Sequence, residues 1–174
     1  MTVTSSLIAK MASLSLAVSP PSDLPTYCQR DCELSDNGAA LIRLFEGYSP
    51  FVYNDVGGLA TIGYGHLIVK GEKFKEPLMP EDANKLLMKD AGFAVKGLNK
   101  GVKVKLKQNQ ADSLISFIYN VGVGAFNGST LIKKVNAMLH NDVPFQILRW
   151  DKVKGKVVFG LTNRRTAEAA MYQK

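Results

Sequence analysis

The stretch FEGYSPFVYNDVGGLATIGYGH, residues 45–66, lies between two segments of helical periodicity and constrains the fold more than any other part of the chain. It is rich in aromatic and β-branched residues and is interrupted by Asn, Asp and Gly. That composition is typical of short strands joined by tight turns. We therefore predict a small antiparallel hairpin or three-stranded sheet across residues 50–69.

Helical patterns flank this stretch on both sides. Ser35 or Asp36 is a suitable N-cap and Gly47 a suitable stop, so a short amphipathic helix is predicted to end at Glu46. A long helix is predicted over residues 80–99, and Gly92 and Gly97 are expected to weaken or bend it, because glycine costs about 1 kcal/mol in a helix interior.

Four further segments predict helices in the second half of the chain. These are KQNQADSLISFIYNVG, STLIKKVNAMLH, VPFQILRWDKV and LTNRRTAEAAMYQ, the last capped by Thr162 or Asn163. One helix, a small sheet and then a run of helices predict an α+β fold with segregated layers. A lone Trp150 in the third segment is interpreted as a core residue and not as an exposed platform for a ligand.

The chain has 174 residues, which suits one domain with two lobes. We divide it into an N-terminal extension of unknown role, residues 1–35, and a catalytic domain, residues 36–174. The extension contains a Pro-rich linker, SPPSDLP, and a segment, residues 7–18, that is a poor match to a signal peptide. It also holds Cys28 and Cys32, whose spacing fits either one helical face or a small loop disulfide.

The formal net charge of +7 favours anionic partners, including wall polymers, anionic lipid and nucleic acid. The basic runs at residues 103–107 and 152–156 are short, and no helix-turn-helix or RNA-binding signature is present, so a nucleic-acid partner is not expected. No apolar run is long enough for a stable membrane span. No second Cys or His pair follows at zinc-ligand spacing, so neither a metal nor a cofactor is expected.

Glu46 and Asp55 are the candidate catalytic pair. Cleavage of a glycosidic bond needs one carboxyl group to protonate the leaving oxygen and a second to act on water or on the sugar carbon. A helix end and the neighbouring turn can present two such groups across a cleft, and the Thr61 hydroxyl can hold a water molecule. A Glu at a helix end and an Asp in a turn are also common structural residues, so spacing alone leaves both interpretations open.

The spacing of Glu46, Asp55 and Thr61 resembles the catalytic signature of the phage-type lysozymes, glycoside hydrolase family 24. TIGYGH (61–66), NQADSLISFIYNVGVGAFNGSTLIKKVN (109–136) and GLTNRRTAEAAMY (160–172) resemble further blocks of that family, so the likeness covers residues 36–173. The resemblance implies a lysozyme-like fold in which a long helix joins a small antiparallel β lobe to a mainly helical lobe. It also implies an endo-acting muramidase that cuts the β-1,4 bond between N-acetylmuramic acid and N-acetylglucosamine in peptidoglycan.

The same resemblance implies roles for individual residues. Glu46 is expected to be the general acid, and Asp55 with Thr61 to position the attacking water, with Asp55 as nucleophile as the alternative. Arg164 is expected to pair with Glu46; burial would favour the protonated acid, and the cation would oppose this. Leu67 and Tyr119 are expected to line the sugar cleft, although core positions are an equally simple interpretation. His66 is expected to support the fold through a pair with Asp90.

The biological setting is left open by the sequence. We expect a monomer without cofactor that is made in the bacterial cytoplasm and acts on glycan strands of the wall, by an export route that the sequence does not define. The role of a phage or prophage endolysin in host lysis is favoured. A lytic effector aimed at rival cells, a tail lysozyme, and a non-catalytic peptidoglycan-binding module on the same fold are the alternatives.

Overall fold

The computed structural model describes residues 26–55 and 57–174 and is mainly helical, with small antiparallel sheets. The helices are α1 (Asp36–Glu46), α2 (Pro80–Asp90), α3 (Gly92–Gly101), α4 (Gln108–Val121), α5 (Val123–Gly128), α6 (Thr130–Asn136), α7 (Val143–Leu148) and α8 (Phe159–Gln173). The strands are β1 (Tyr27–Cys28), β2 (Ser49–Asn54), β3 (Ala60–Gly63), β4 (His66–Leu67), β5 (Leu106–Lys107), β6 (Lys152–Val153) and β7 (Lys156–Val157). A single 3₁₀ turn, His140–Asp142, precedes α7.

The predicted sheet is present as three antiparallel strands in the order β2-β3-β4. Thr61 of β3 is opposite Tyr53 of β2 and Leu67 of β4. Gly63 ends β3 with φ +67, and a Cβ there would lie 3.3 Å from side-chain atoms of Leu78 and Ala83. The sheet therefore packs closely on α2, and glycine fits both the backbone conformation and the contact.

The long connecting helix predicted over residues 80–99 is two helices. α2 ends at Asp90 and α3 begins at Gly92, so the break falls at the first of the two glycines expected to weaken the segment. The N–H of Ala91 still donates to the Leu87 carbonyl, which keeps the two helices consecutive. The prediction of a bend is confirmed, and the prediction of one uninterrupted helix is wrong.

Two predictions near the C-terminus are also wrong. The segment predicted as one helix from Val143 ends at Leu148, and the chain then forms the β6–β7 hairpin. α8 begins at Phe159, so neither Thr162 nor Asn163 is its cap. The Val158 N–H donates to the Asp151 carbonyl and closes the hairpin. The helix α8 therefore begins at Phe159, before the residue that the sequence predicted.

The main core surrounds α4. Every residue from Ala111 to Ile118 is buried, because α1, α3, α5 and α8 all pack against this helix. Trp150 is partly buried and packs edge-on against Phe117 at 5.4 Å between ring centroids, which confirms the core interpretation of this tryptophan. A second, smaller core cluster of Ile62, Leu78 and Ala83 lies where the sheet meets α2.

Residues 26–34 form a strap across the helical lobe. Strand β1 pairs with β5 just before α4, and Cys28 and Cys32 form a disulfide, which settles the alternatives that their spacing left open. The Asn99 side chain of α3 accepts from the Cys32 N–H and donates to the Cys32 carbonyl. The predicted linker at residues 19–25 and the segment at residues 7–18 that was compared with a signal peptide lie outside the described part of the chain.

Candidate active site

Glu46 is the last residue of α1. The Ser35 side chain accepts from the Gly38 N–H and caps the helix, and Leu41 and Ile42 bury its inner face. Gly47 ends the helix with φ +74, a conformation that an L residue rarely adopts. The Glu46 side chain keeps 25% of its surface exposed, so its carboxylate lies at the surface end of a buried helix.

Arg164 holds the Glu46 carboxylate, which confirms the predicted pair. Its Nη1 donates to Glu46 Oε1 at 2.7 Å, and its guanidinium lies 5.6 Å from the ring centre of Phe45. The other donors of Arg164 are fixed as well, because Nε donates to Glu168 Oε1 and Nη2 to the Ser116 carbonyl. A guanidinium held at several points fixes the orientation of the carboxylate that it binds.

Asp55 follows β2 in the turn that leads to β3. Its Oδ1 accepts from the Gly57 N–H at 2.8 Å and from the Leu59 N–H at 2.9 Å. These bonds make a side-chain-capped turn and fix the carboxylate to the backbone. Within the described part of the chain, Asp55 Oδ2 accepts no hydrogen bond.

Thr61 is almost completely buried. Its exposed fraction is 3%, and its Oγ1 donates to the Leu59 carbonyl at 3.0 Å. The hydroxyl hydrogen is therefore used within the strand, and only the oxygen lone pairs remain to accept a bond from water. Its role in holding the attacking water stays a prediction.

Glu46 lies between two surface depressions. The first, of about 290 Å³, is lined by Glu46 together with Gly47, Tyr48, Ser49, Tyr53 and Gly63. The second, of about 420 Å³, is lined by Gly65, His66, Leu67, Val69, Glu72, Lys89, Asp90, Phe93 and Tyr119. A Cβ on Gly65 would lie 3.9 Å from Glu46 Oε2, which places the carboxylate beside the second depression as well.

We call the two depressions on either side of Glu46 the groove. The structure brings most of the predicted site residues to it. Leu67 and Tyr119, predicted to line the cleft, share the second depression. Asp55 and Thr61 lie outside the described lining of both depressions. A larger depression, of about 640 Å³, involves residues of the loop before α2 and contains none of the predicted site residues, so volume alone does not mark this site.

Three aromatic residues of the groove were not singled out from the sequence. Phe93 stacks on Tyr119 with ring centroids 5.8 Å apart and is 46% exposed, and Tyr48 and Tyr53 line the first depression. Exposed aromatic faces suit stacking on sugar rings. Phe93 could have been found from its position one helical turn beyond Asp90. The two tyrosines could have been found from the aromatic content of the stretch after Glu46.

Tyr119 is a neutral phenol at neutral pH. Burial raises its pKa strongly, and the negative charges of Glu46 and Asp90 raise it further. A phenol that keeps its proton remains a hydrogen-bond donor.

His66 of β4 contacts two carboxylates, that of Asp90 at the end of α2 and that of Glu72 in the loop after β4. Its Nδ1 lies 2.8 Å from Asp90 Oδ2, which confirms the predicted pair, and its Nε2 lies 3.0 Å from Glu72 Oε2. Glu72 was missed because nothing in the sequence marks it as a partner of a histidine six residues earlier. Burial lowers the pKa of His66, but the bonds to Asp90 and Glu72 outweigh it, so the pKa of His66 is raised.

We predict that Asp90→Asn lowers stability in a pH-dependent way. Since the pKa of folded His66 is raised, protonated His66 stabilises the fold fully below its unfolded pKa of about 6.5, and that contribution is lost as the pH rises through the folded pKa. Loss of the partly exposed hydrogen bond between His66 and Asp90 should lower the free energy of unfolding by about 1 kcal/mol at pH 5.5, which corresponds to about 2–4 °C in Tm. The loss should be clearly smaller at pH 8.5.

Thermal unfolding of the wild type and Asp90→Asn at both pH values tests this prediction. Asp82→Asn on the same helix is the control, since Asp82 forms only an exposed pair with Lys85 and should show no such pH dependence. An equal loss of Tm for Asp90→Asn at both pH values would contradict the assigned role of His66.

Among the described residues, no group of three or more His, Cys, Asp and Glu side chains is arranged to hold a metal ion. Helices of a length and apolarity suited to crossing a bilayer are likewise absent from residues 26–55 and 57–174.

A two-lobed α+β fold with a salt-bridged glutamate at the end of α1 and a groove beside it defines a lysozyme-like protein. The structure of the endolysin from Escherichia coli O157:H7 phage FAHEc1 superimposes with a TM-score of 0.75 at 36% identity, covering 83% of this chain and 96% of that one. Residues 43–168 match the phage lysozyme family model. The chain belongs to the phage lysozyme family.

Two curated relatives show how far the likeness extends. The chain is 38% identical over 142 residues to the endolysin of Bacillus phage PZA, covering 80% of this chain and 55% of that protein. It is 33% identical over 143 residues to the endolysin of Salmonella phage P22, covering 80% and 97% respectively. This chain therefore matches about half the length of the first relative and nearly all of the second.

Proposed function

We propose that the chain is an endo-acting muramidase that hydrolyses the β-1,4 bond between N-acetylmuramic acid and N-acetylglucosamine in peptidoglycan during lysis of the host cell. The observation that carries the proposal is the Glu46 carboxylate, fixed by Arg164 beside a groove with exposed aromatic side chains. Membership of a family whose relatives are endolysins supports the same conclusion.

In the proposed mechanism, Glu46 donates a proton to the oxygen of the leaving sugar. Glu46 Oε1 is occupied by Arg164, and Oε2 is the oxygen on the side of Gly65 and the second depression, so Oε2 would carry the proton. An acid whose other oxygen is held in a salt bridge has a fixed orientation, which lowers the entropic cost of proton transfer.

Asp55 supplies the second carboxylate. Two backbone N–H groups hold Oδ1, and Oδ2 would either orient the attacking water or attack the sugar carbon itself. Thr61, with its lone pairs directed away from its own donor bond, would accept a bond from the same water. Leu67 and Tyr119 would bind the sugar rings, with the Tyr119 hydroxyl donating to an acetamido group.

The partner would be the glycan strand itself, bound by a monomer that needs no cofactor, and the place of action would be the bacterial wall. Residues 1–35 would form an N-terminal extension to the catalytic domain at 36–174, with the strap at residues 26–34 packed on that domain. The intact Glu46–Arg164 pair favours an enzyme over a non-catalytic wall-binding module, because a module that only binds has no need of an oriented acid.

Digestion of purified sacculi tests the proposal. The products are separated and their masses measured after borohydride reduction. Muropeptides with reducible N-acetylmuramic acid ends are the expected result. Reducible N-acetylglucosamine ends would identify the other glycosidic bond, anhydro-muramic ends would identify lytic transglycosylation, and intact sacculi would identify a binding module; each of these results would overturn the proposal.

We also predict that hydrolysis falls as ionic strength rises. The wall is anionic, the chain carries a formal charge of +7, and exposed charges are screened over about 10 Å at 0.1 M salt and about 3 Å at 1 M. Turbidity loss of sacculi between 0.05 and 0.5 M NaCl should slow several-fold through KM, with kcat unchanged. A short soluble oligosaccharide substrate is the control and should show little salt dependence.

A further inference from the structure

The buried charges behind Glu46 are more numerous than an acid and its partner require. Arg164 is 4% exposed, and Arg165 and Glu168 are both fully buried. With Glu46, these three residues of α8 form a cluster of two carboxylates and two guanidinium groups, which we call the α8 charge cluster. Its formal charge is zero, and removing any one member leaves a net charge in the interior.

Arg164 is shared between the two carboxylates. Its Nη1 donates to Glu46 Oε1 at 2.7 Å, and its Nε donates to Glu168 Oε1 at 3.2 Å. Ser116 of α4 completes the arrangement, because its hydroxyl donates to Glu168 Oε1 at 2.8 Å and its carbonyl accepts from Arg164 Nη2. Glu168 thus lies on the opposite side of Arg164 from the groove.

Arg165 forms an ion pair with the second carboxylate oxygen of Glu168. Its Nε lies 3.2 Å from Glu168 Oε2, its Nη2 donates to Asn120 at 2.7 Å, and its guanidinium lies 4.8 Å from the ring centre of Phe117. Burial lowers the pKa of Arg165 to about 10, which leaves it cationic at neutral pH. Burial also raises the pKa of Glu168; the two guanidinium groups and Ser116 oppose that rise only in part, so the pKa of Glu168 stays above its ordinary value.

We propose that Glu168 is a positioning residue for the muramidase reaction: it holds Arg164 between two carboxylates and so limits how strongly Arg164 stabilises the ionised form of Glu46. A general acid must hold its proton until the transition state, yet a salt bridge to arginine favours proton loss. A second carboxylate on the same guanidinium partly neutralises its positive charge and keeps Arg164 oriented. The inference rests on the proposed function only in the role that it gives Glu46.

Few other charged groups face the acid. Tyr119 of α4 is a neutral phenol, and Asp90 of α2 lies close enough to Tyr119 to affect it. From the β lobe, Asp55 is the second candidate carboxylate. None of these residues contacts Arg164 by a hydrogen bond, so among the described residues Glu168 is the second carboxylate bonded to that guanidinium.

The test is Glu168→Gln, which keeps an acceptor for Arg164 Nε and removes the charge. One guanidinium group separates the two carboxylates by roughly 7 Å, and at that separation one unit charge shifts a neighbour's titration by about 0.4 to 1.7 pH units for effective dielectric constants between about 80 and 20. The midpoint of the Glu46 carboxyl titration, followed by ¹³C NMR in the unliganded protein, should move to lower pH by that amount. The alkaline limb of kcat/KM on sacculi should move with it.

Ala169→Gly is the control, because it weakens the same helix at a buried position without changing charge. It should lower Tm and leave both the Glu46 titration and the pH profile in place. A Glu46 titration that is unmoved or moves to higher pH in Glu168→Gln would overturn the inference. Wild-type protein that binds sacculi without hydrolysing them would overturn the proposed function and leave the NMR result to decide the coupling.

A second measurement needs no variant. The ¹³C shift of the Glu168 carboxyl in the wild type shows whether the group is ionised while Glu46 titrates. An ionised Glu168 supports the inference, and a Glu168 that stays protonated throughout that range overturns it, because a neutral carboxyl cannot counter Arg164.

Discussion

Glu46→Gln should abolish hydrolysis of sacculi and leave the protein folded. The amide cannot donate a proton to a leaving oxygen, and loss of a general acid costs about 10²–10⁴-fold in rate. We expect the high end of that range, at least about 10³-fold in kcat, because the whole site is arranged around this group. The side chain is 25% exposed and the amide oxygen can still accept from Arg164, so the fold should tolerate the change.

The measurement is the rate of muropeptide release, with Tm as the check on folding. Glu33→Gln is the matched control, since Glu33 is exposed and lies in the strap and not in the groove. It should retain wild-type activity. Near-normal lysis by Glu46→Gln would remove Glu46 from the mechanism even if the family assignment stands.

Arg165→Met should produce a large loss of stability. The substitution keeps an unbranched apolar side chain against Phe117 but leaves the α8 charge cluster with one more carboxylate than guanidinium. Removing one partner of a buried pair costs about 3–5 kcal/mol. Because Arg164 still binds Glu168, and because two nitrogens of Arg165 make no hydrogen bond within the described residues, we expect about 2–4 kcal/mol.

Chemical unfolding in urea measures this loss. Arg149→Met is the matched control, because Arg149 is exposed and should change stability by no more than about 0.5 kcal/mol. The double variant Arg165→Met/Glu168→Leu removes both members of the Arg165–Glu168 pair and leaves Arg164 with Glu46, so it should recover part of the loss. A single Arg165→Met variant as stable as the wild type would show that Arg165 is not the counter-charge of Glu168.

The sequence predicted those features that depend on local pattern. Helical periodicity located α1 and its end at Glu46, and alternating β-branched and aromatic residues located the three-stranded sheet. The contacts of Arg164 with Glu46 and of His66 with Asp90 were expected from family resemblance and are present. Neither contact follows from periodicity, since 118 residues separate the first pair.

What the sequence missed depends on long-range or non-helical contacts. The β6–β7 hairpin lies in a stretch whose apolar residues, Val153 and Val157, remain exposed, so burial gave no pattern to detect. Glu168 looked like an ordinary polar residue of a surface helix and is fully buried against α4. Two arginines on its own helix compensate its burial at i,i+4 and i,i+3 spacing. That spacing is visible in the sequence, but the burial of all three side chains is visible only in three dimensions.

The strap over residues 26–34 is attached at the end of α4 that is remote from Tyr119. Its strand pairs with Leu106 and Lys107 immediately before α4, whereas Tyr119 of the groove lies near the other end of the same helix. Twelve residues of helix from Lys107 to Tyr119 correspond to about 18 Å. A fusion partner, affinity tag or surface tether joined directly ahead of Thr26 would therefore be attached about 18 Å from Tyr119, and we expect linkage there to leave the groove open.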